Sequence, residues 1–130
     1  MAAFQVVMVA VFAGATASFA CVVLERRAVG ESIGGRSQCV CGQQIPMYRN
    51  IPVVTWVLQR GRAACCGAPI PRWYVQAELL TVVMGVLGAV VAGLAAGWVW
   101  VWPGGLIGTA VGIVAVVTWF RSGRSSAHRA

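Results

Sequence analysis

The chain has no aspartate and no lysine, and its acidic residues are three glutamates, Glu25, Glu31 and Glu78, among 130 residues. Without aspartate it cannot divide general-acid and general-base work between two aspartyl carboxyls of separated pKa. Charged residues make up only 10% of the chain against 59% apolar ones, which excludes an ordinary soluble domain. A glycine-rich strand-to-helix turn that would cradle a nucleoside cofactor is also missing. What is left is the composition of a membrane protein.

Charge is absent altogether from the first 24 residues, Met1 to Leu24, whose polar members are the mild Gln5, Thr16 and Ser18. That is one span, since about 20 apolar residues cross a hydrocarbon core of about 30 Å. The 46 residues from Val75 to Phe120 carry one charge, Glu78, and as a single helix would overshoot the bilayer about twofold. Two spans folded back on each other fit better. The break is expected in "AGWVWVWPGG", residues 96–105, because tryptophans favour the membrane interface and a Pro-Gly step turns a chain. A Val/Trp strand is the competing assignment, and it has nothing in lipid to pair its backbone. The expected organisation is therefore a first transmembrane helix at 1–24, a loop domain at 25–73, a second helix at 75–96, a third at 103–120 and a basic tail at 121–130. Small residues at every fourth position, Ala89, Gly93 and Gly97 and then Gly104, Gly108 and Gly112, predict close approach of the last two helices.

All ten basic residues are arginines, seven in the loop (Arg26, Arg27, Arg36, Arg49, Arg60, Arg62, Arg72) and three in the tail (Arg121, Arg124, Arg129). Three spans put loop and tail on one side, and the positive-inside rule makes that side cytoplasmic, with the N-terminus outside. The net charge of +7 is thus a topology signal, and nucleic acid is not an expected partner; the lipid bilayer is. "ASFAC", residues 17–21, is loosely like a lipoprotein cleavage site, but no basic segment precedes it and its apolar run is long for an export signal. Cys21 is accordingly expected to be a buried small side chain.

The other four cysteines come in two pairs, Cys39 with Cys41 and Cys65 with Cys66, in a loop of 49 residues with little apolar content. On the cytoplasmic side thiols stay reduced, which favours metal ligation over disulfides. A loop that small also needs a staple, and Zn²⁺ held by four thiolates is one. The spacing argues the other way. Gaps of one residue and of none are shorter than the two-residue gap of a zinc knuckle, and adjacent side chains diverge along extended backbone. Zinc, free thiols and a disulfide all remain open on the residues alone. Asn50 and Pro52 read as the start of a short surface helix with Val53, Val54, Trp56 and Leu58 as apolar anchors and Gly61 as its stop.

Taken in order, "SFACVVLERR", "RSQCVCG", "YRNIPVVTWVLQRGR", "CGAPIPRWY" and "AELLT" resemble the N-terminal part of the bacterial type IV prepilin peptidases, over about residues 14–85. These are bifunctional leader peptidases and N-methyltransferases with a cysteine-rich cytoplasmic loop domain after their first helix. The resemblance implies an all-α membrane protein, here three transmembrane helices with that loop between helices 1 and 2. It also implies two Cys-x-x-Cys pairs as a metal site. Cys41 and Cys66, each followed by glycine, fall on the second thiols; Cys39 is one residue too close, and Ala63 stands where the other first thiol belongs, with Cys65 displaced beside it. Arg49 replaces the family's usual aspartate before Asn-Ile-Pro.

The family's catalytic aspartate region, on later helices, has no counterpart in this sequence. The expected function is therefore that of a prepilin-peptidase-like N-terminal module, a non-proteolytic scaffold or substrate-binding unit in type IV pilin or pseudopilin processing. The alternative is one part of a split leader peptidase and N-methyltransferase whose partner chain supplies the two aspartates. S-adenosylmethionine enters only with methyl transfer, for which Glu78 is the best-placed carboxylate to meet substrate; its competing role is a favourable charge at a helix N-terminus near Arg72. No residue is assigned to catalysis, and the expected location is the bacterial cytoplasmic (inner) membrane.

Overall fold

A computed structural model of the chain describes residues 1–28, 30, 32–36, 38–39, 41–46 and 52–127. Glu31, Arg49, Asn50 and Arg129 lie outside the described residues, as does the side chain of Arg124. Three long helices, α1 (Ala2–Ala28), α3 (Arg72–Ala96) and α4 (Val101–Ala127), enclose a short one, α2 (Pro52–Leu58), in the connection between α1 and α3. All three long helices are long and apolar enough to cross a membrane. The 27 residues of α1 extend about 40 Å, past a hydrocarbon core of about 30 Å. The surplus turns carry Arg26 and Arg27, which leaves the guanidinium groups at the polar boundary.

Side chains are distributed inside out relative to a soluble bundle. The buried positions are small, among them Ala13, Ala17, Cys21, Ala77 and Ala89, whereas Phe4, Phe19, Leu87, Leu94 and Ile107 are exposed. In lipid, large apolar side chains have no reason to hide from the solvent, and small ones are selected where helix backbones meet. Val9 with Ala89 and Val101 forms one buried cluster, and Cys21 with Ala77 and Val116 the other. Cys21 is fully buried, as expected.

α3 and α4 form an antiparallel hairpin whose contact is made through glycine. A Cβ on Gly108 would run into the Met84 carbonyl, one on Gly104 or Gly88 into the other's carbonyl, and one on Gly112 would sit 2.8 Å from the Thr81 Cα. The small stripe of α4 thus lies on α3 as expected. On α3 the expected stripe holds at Ala89, buried against Val101, and at Gly93, where a Cβ would meet Val101 at 2.9 Å; Gly85 and Gly88 extend it, and only Gly97 has open space around it. Thr81 and Thr109, both buried, donate their hydroxyls to the Ala77 and Gly105 carbonyls of their own helices at 2.9 and 2.8 Å, so neither leaves a polar group unpaired in the interface. Gly108→Leu is expected to force the two helices apart, because the atom in its way is backbone and cannot yield. The cost is about 3 kcal/mol or more, read as a lowered unfolding midpoint in detergent, while Gly123→Leu, with open space around it, leaves the midpoint unchanged.

The hairpin turns earlier than its Pro-Gly step suggests. Gly97, at φ 98°, ends α3 and donates its N–H to the Gly93 carbonyl at 3.1 Å; Trp98–Trp100 then make one 3₁₀ turn, and α4 begins at Val101. Pro103 therefore sits in the first turn of α4, where its missing N–H has no helical partner to lose. Trp98, Trp100 and Trp102 are exposed around the turn, as interface side chains should be.

Candidate metal centre

Each cysteine pair sits in a small turn closed by backbone hydrogen bonds. In the first, the Cys39 N–H donates to the Gln43 carbonyl and the Gly42 N–H to the Cys39 carbonyl, both at 2.8 Å, and Gln38 bridges to Gln44. In the second, the Ala63 N–H donates to the Ala68 carbonyl at 2.8 Å, the Gly67 N–H to the Ala63 carbonyl at 2.7 Å, and Arg62 bridges to Pro69. Gly42 at φ 83° and Gly67 at φ 71° supply the left-handed residue that each turn requires. The glycines after Cys41 and Cys66 are thus the hinges that double the chain back.

The two turns face each other through sulfur. Cys39 Sγ lies 3.5 Å from Cys66 Sγ, Cys41 Sγ 3.4 Å from Cys65 Sγ, and Cys65 Sγ 3.8 Å from Cys66 Sγ; all four fall within 4.8 Å of one another. Four sulfurs around one zinc at bonds of about 2.3 Å stand about 3.8 Å apart, so the donor set fits a tetrahedral Zn²⁺ with little rearrangement. The expectation that adjacent cysteines diverge fails for a local reason: the chain at 64–66 is a turn, not extended backbone. Four cysteines that can hold a metal ion are thus brought together, and Cys21 is not among them.

Their electrostatics suit a cation. The Cys41 N–H and the Cys65 thiol, both directed at Cys39, lower its pKa to about 7, so that one thiolate is available near neutrality. That thiolate, followed by Cys41, holds the proton on Cys65 and pushes its pKa up to about 12. Cys66 accepts the Ala68 N–H, which lowers its pKa, but hydrogen bonding to Cys39, desolvation and hydrogen bonding to Cys41 together outweigh this and the net shift is upward. One sulfur ionises readily, while Cys65 and Cys66 keep their protons in hydrogen bonds to it. A divalent cation held by the four sulfurs would reverse that balance.

The centre is tied to the helices by a short chain of contacts. Beyond the second turn, the Ile70 N–H donates to the Gly61 carbonyl at 2.8 Å, and the Ile70 carbonyl accepts from Trp56 Nε1 at 3.3 Å. The indole lies over Gly61, where a Cβ would meet it at 3.0 Å; with φ 72°, Gly61 terminates α2 as its composition predicts. At the other end of α2, Glu78 of α3 accepts the Val53 N–H on Oε2 at 2.9 Å. Glu78 is buried, with its other oxygen against Gly14 of α1. The carboxylate singled out as a possible substrate contact is therefore engaged in holding α2 to the helix bundle. Of the proposed α2 anchors, Trp56 and Val53 turn inward, whereas Val54 and Leu58 are exposed. Glu78→Ala is expected to free α2 at a cost of about 1.5–3 kcal/mol, the worth of a hydrogen bond to a charged acceptor, measured as faster amide exchange at Val53 and Val54. Glu78→Gln, which keeps a carbonyl oxygen, should lose less.

Arg26 is a contributor that charge counting alone does not reveal. Its guanidinium donates to the carbonyls of Ile33, Ser32 and Gly35 at 2.7, 3.3 and 3.0 Å, and so fixes the start of the loop against the end of α1. A single arginine amid seven in one loop carries no sequence signal for such a role.

Comparison with known proteins agrees with this architecture. The bacterial peptidase A24 N-terminal domain matches residues 11–92. The chain is 44% identical over 70 residues to a prepilin leader peptidase/N-methyltransferase of Neisseria gonorrhoeae, covering 54% of this chain and 23% of the relative. It is 42% identical over 66 residues to the protein of the same description from Myxococcus xanthus, covering 49% and 20%. To that of Dichelobacter nodosus it is 41% identical over 49 residues, covering 38% and 17%. The chain thus spans about a fifth of the length of the curated relatives it matches. No solved structure matches it. With three apolar helices, a four-cysteine loop between the first and second of them, and a match over more than half its length, the chain is a multi-pass, prepilin-peptidase-like membrane protein belonging to the bacterial peptidase A24 N-terminal domain family.

Proposed function

We propose that this chain is a zinc-stapled membrane module that docks prepilin or pseudopilin substrates at its loop and is not proteolytic by itself. The carrying observation is the convergence of Cys39, Cys41, Cys65 and Cys66 to within 4.8 Å, with α2 and Glu78 linking that cluster to the helices. Zn²⁺ held there would supply no catalysis; it fixes the loop surface. Prepilin as the substrate class is supported by the names of the relatives, which process prepilin leaders. In the inner membrane the loop and C-terminus face the cytoplasm, as the arginine distribution supports.

Substrate capture tests this directly. The purified chain in lipid nanodiscs should retain a full-length prepilin, and EDTA treatment should release it; retention indifferent to metal removal would contradict docking at the loop. In intact cells Val99→Cys, at a position 86% exposed on the Trp-rich turn, should react with an impermeant maleimide, whereas Cys65 should react only after permeabilisation. Labelling of the loop from outside would invert the topology.

The split-enzyme alternative differs in one respect only, a partner chain that brings two intramembrane aspartates. S-adenosylmethionine has no support among the described residues, because Glu78 is occupied by the Val53 N–H.

A further inference from the structure

One groove of the molecule lies apart from both the thiol cluster and the α3–α4 contact. It lies between α1 and α4, which run parallel, at the end where both carry arginine, and measures about 620 Å³. Its body is apolar, with Phe19 and Val23 of α1 facing Ile113 and Val117 of α4, and it ends at Arg27 and Arg121. Among the described residues neither guanidinium has a hydrogen-bond or ion-pair partner, in contrast to Arg26 one position away, which holds three carbonyls. The carboxylate of these helices, Glu25, does not line the groove and interacts with Tyr74 of α3.

We infer that this groove binds one anionic phospholipid, its phosphate between Arg27 and Arg121 and an acyl chain along the α1–α4 seam. The occupant follows from the polarity of the site. Two cations at one end and hydrocarbon along the rest match a lipid with a charged headgroup, and the groove opens on the apolar flank of helices that cross a membrane. A second copy of this chain is a poorer occupant, because it would bring the same arginines to face these two. A free phosphate would leave the apolar length bare.

The test is native mass spectrometry of the whole chain released from detergent micelles containing phosphatidylglycerol or phosphatidylcholine. One phosphatidylglycerol per chain should survive activation that strips phosphatidylcholine. The double substitution Arg27→Gln, Arg121→Gln should weaken phosphatidylglycerol retention about 30-fold, and Arg60→Gln, Arg62→Gln, which removes the same charge from the loop, should not. Val23→Trp, which fills the seam and keeps both cations, should also reduce retention. Equal retention of the two lipids, equal loss in the loop and groove variants, displacement by inorganic phosphate, or a lipid-free dimer would each overturn the inference.

Discussion

Serine in place of Cys41 or Cys66 is expected to strip the chain of metal and open the segment between α1 and α3 to protease, while Cys39→Ser and Cys65→Ser weaken metal retention without abolishing it. Cys41 and Cys66 directly precede Gly42 and Gly67, whose φ values of 83° and 71° fix where the chain reverses, so their sulfurs are the ones the turns aim most rigidly. Cys39 and Cys65 lie further from the hinges, and a water can complete a zinc site that has lost one thiolate. The effect is large because the loop buries little of its own surface: Ile33, Val54, Val57 and Leu58 are all exposed. Binding free energy at such a site is folding free energy, on the order of 10 kcal/mol. Limited proteolysis of zinc-loaded and chelated protein reads the result as cleavage between residues 32 and 70. Protection that persists in all four variants would show that the turns hold themselves together.

A prepilin presented to the purified chain should remain uncut for as long as a complete relative takes to cut all of it. Aspartyl proteolysis needs one carboxyl to activate water and another to donate a proton, and this sequence contains no aspartate. The two described glutamates offer no substitute pair, since Glu25 and Glu78 each already face their own partner, Tyr74 and the Val53 N–H. The difference is therefore all or none rather than graded, since losing both catalytic groups removes the mechanism and not merely part of its rate. Mass spectrometry of the prepilin N-terminus measures it. Addition of a second membrane chain carrying two aspartates should leave the outcome unchanged for a docking module and restore cleavage for half of a split enzyme. Cleavage by the isolated chain would refute the exclusion of aspartyl chemistry.

The three spans were legible because lipid imposes a simple rule on composition, and long uncharged runs leave little choice of element. The presence of four thiols in one loop was equally plain, as was the resemblance of the surrounding fragments. Their geometry was not. Adjacent cysteines diverge only on extended backbone, whereas Gly67 and the Ala63–Ala68 hydrogen bond make the stretch at Cys65 and Cys66 a turn. The hairpin bend was displaced for a similar reason: Pro103 breaks a helix from inside but is accommodated in a first turn, and Gly97, read as part of a packing stripe, ends α3 instead. Glu78 lies near the loop end of its helix, yet its partner is the N–H of Val53, 25 positions away, and no local pattern encodes that pairing.

Zinc X-ray absorption on the detergent-purified chain tests the four-thiolate centre most directly. A first shell of four sulfurs at about 2.3 Å, with close to one zinc per chain, is the predicted result. A shell of mixed nitrogen and oxygen, or metal well below one per chain after growth in zinc-replete medium, would contradict it and leave the paired cysteines without the ion that their geometry fits.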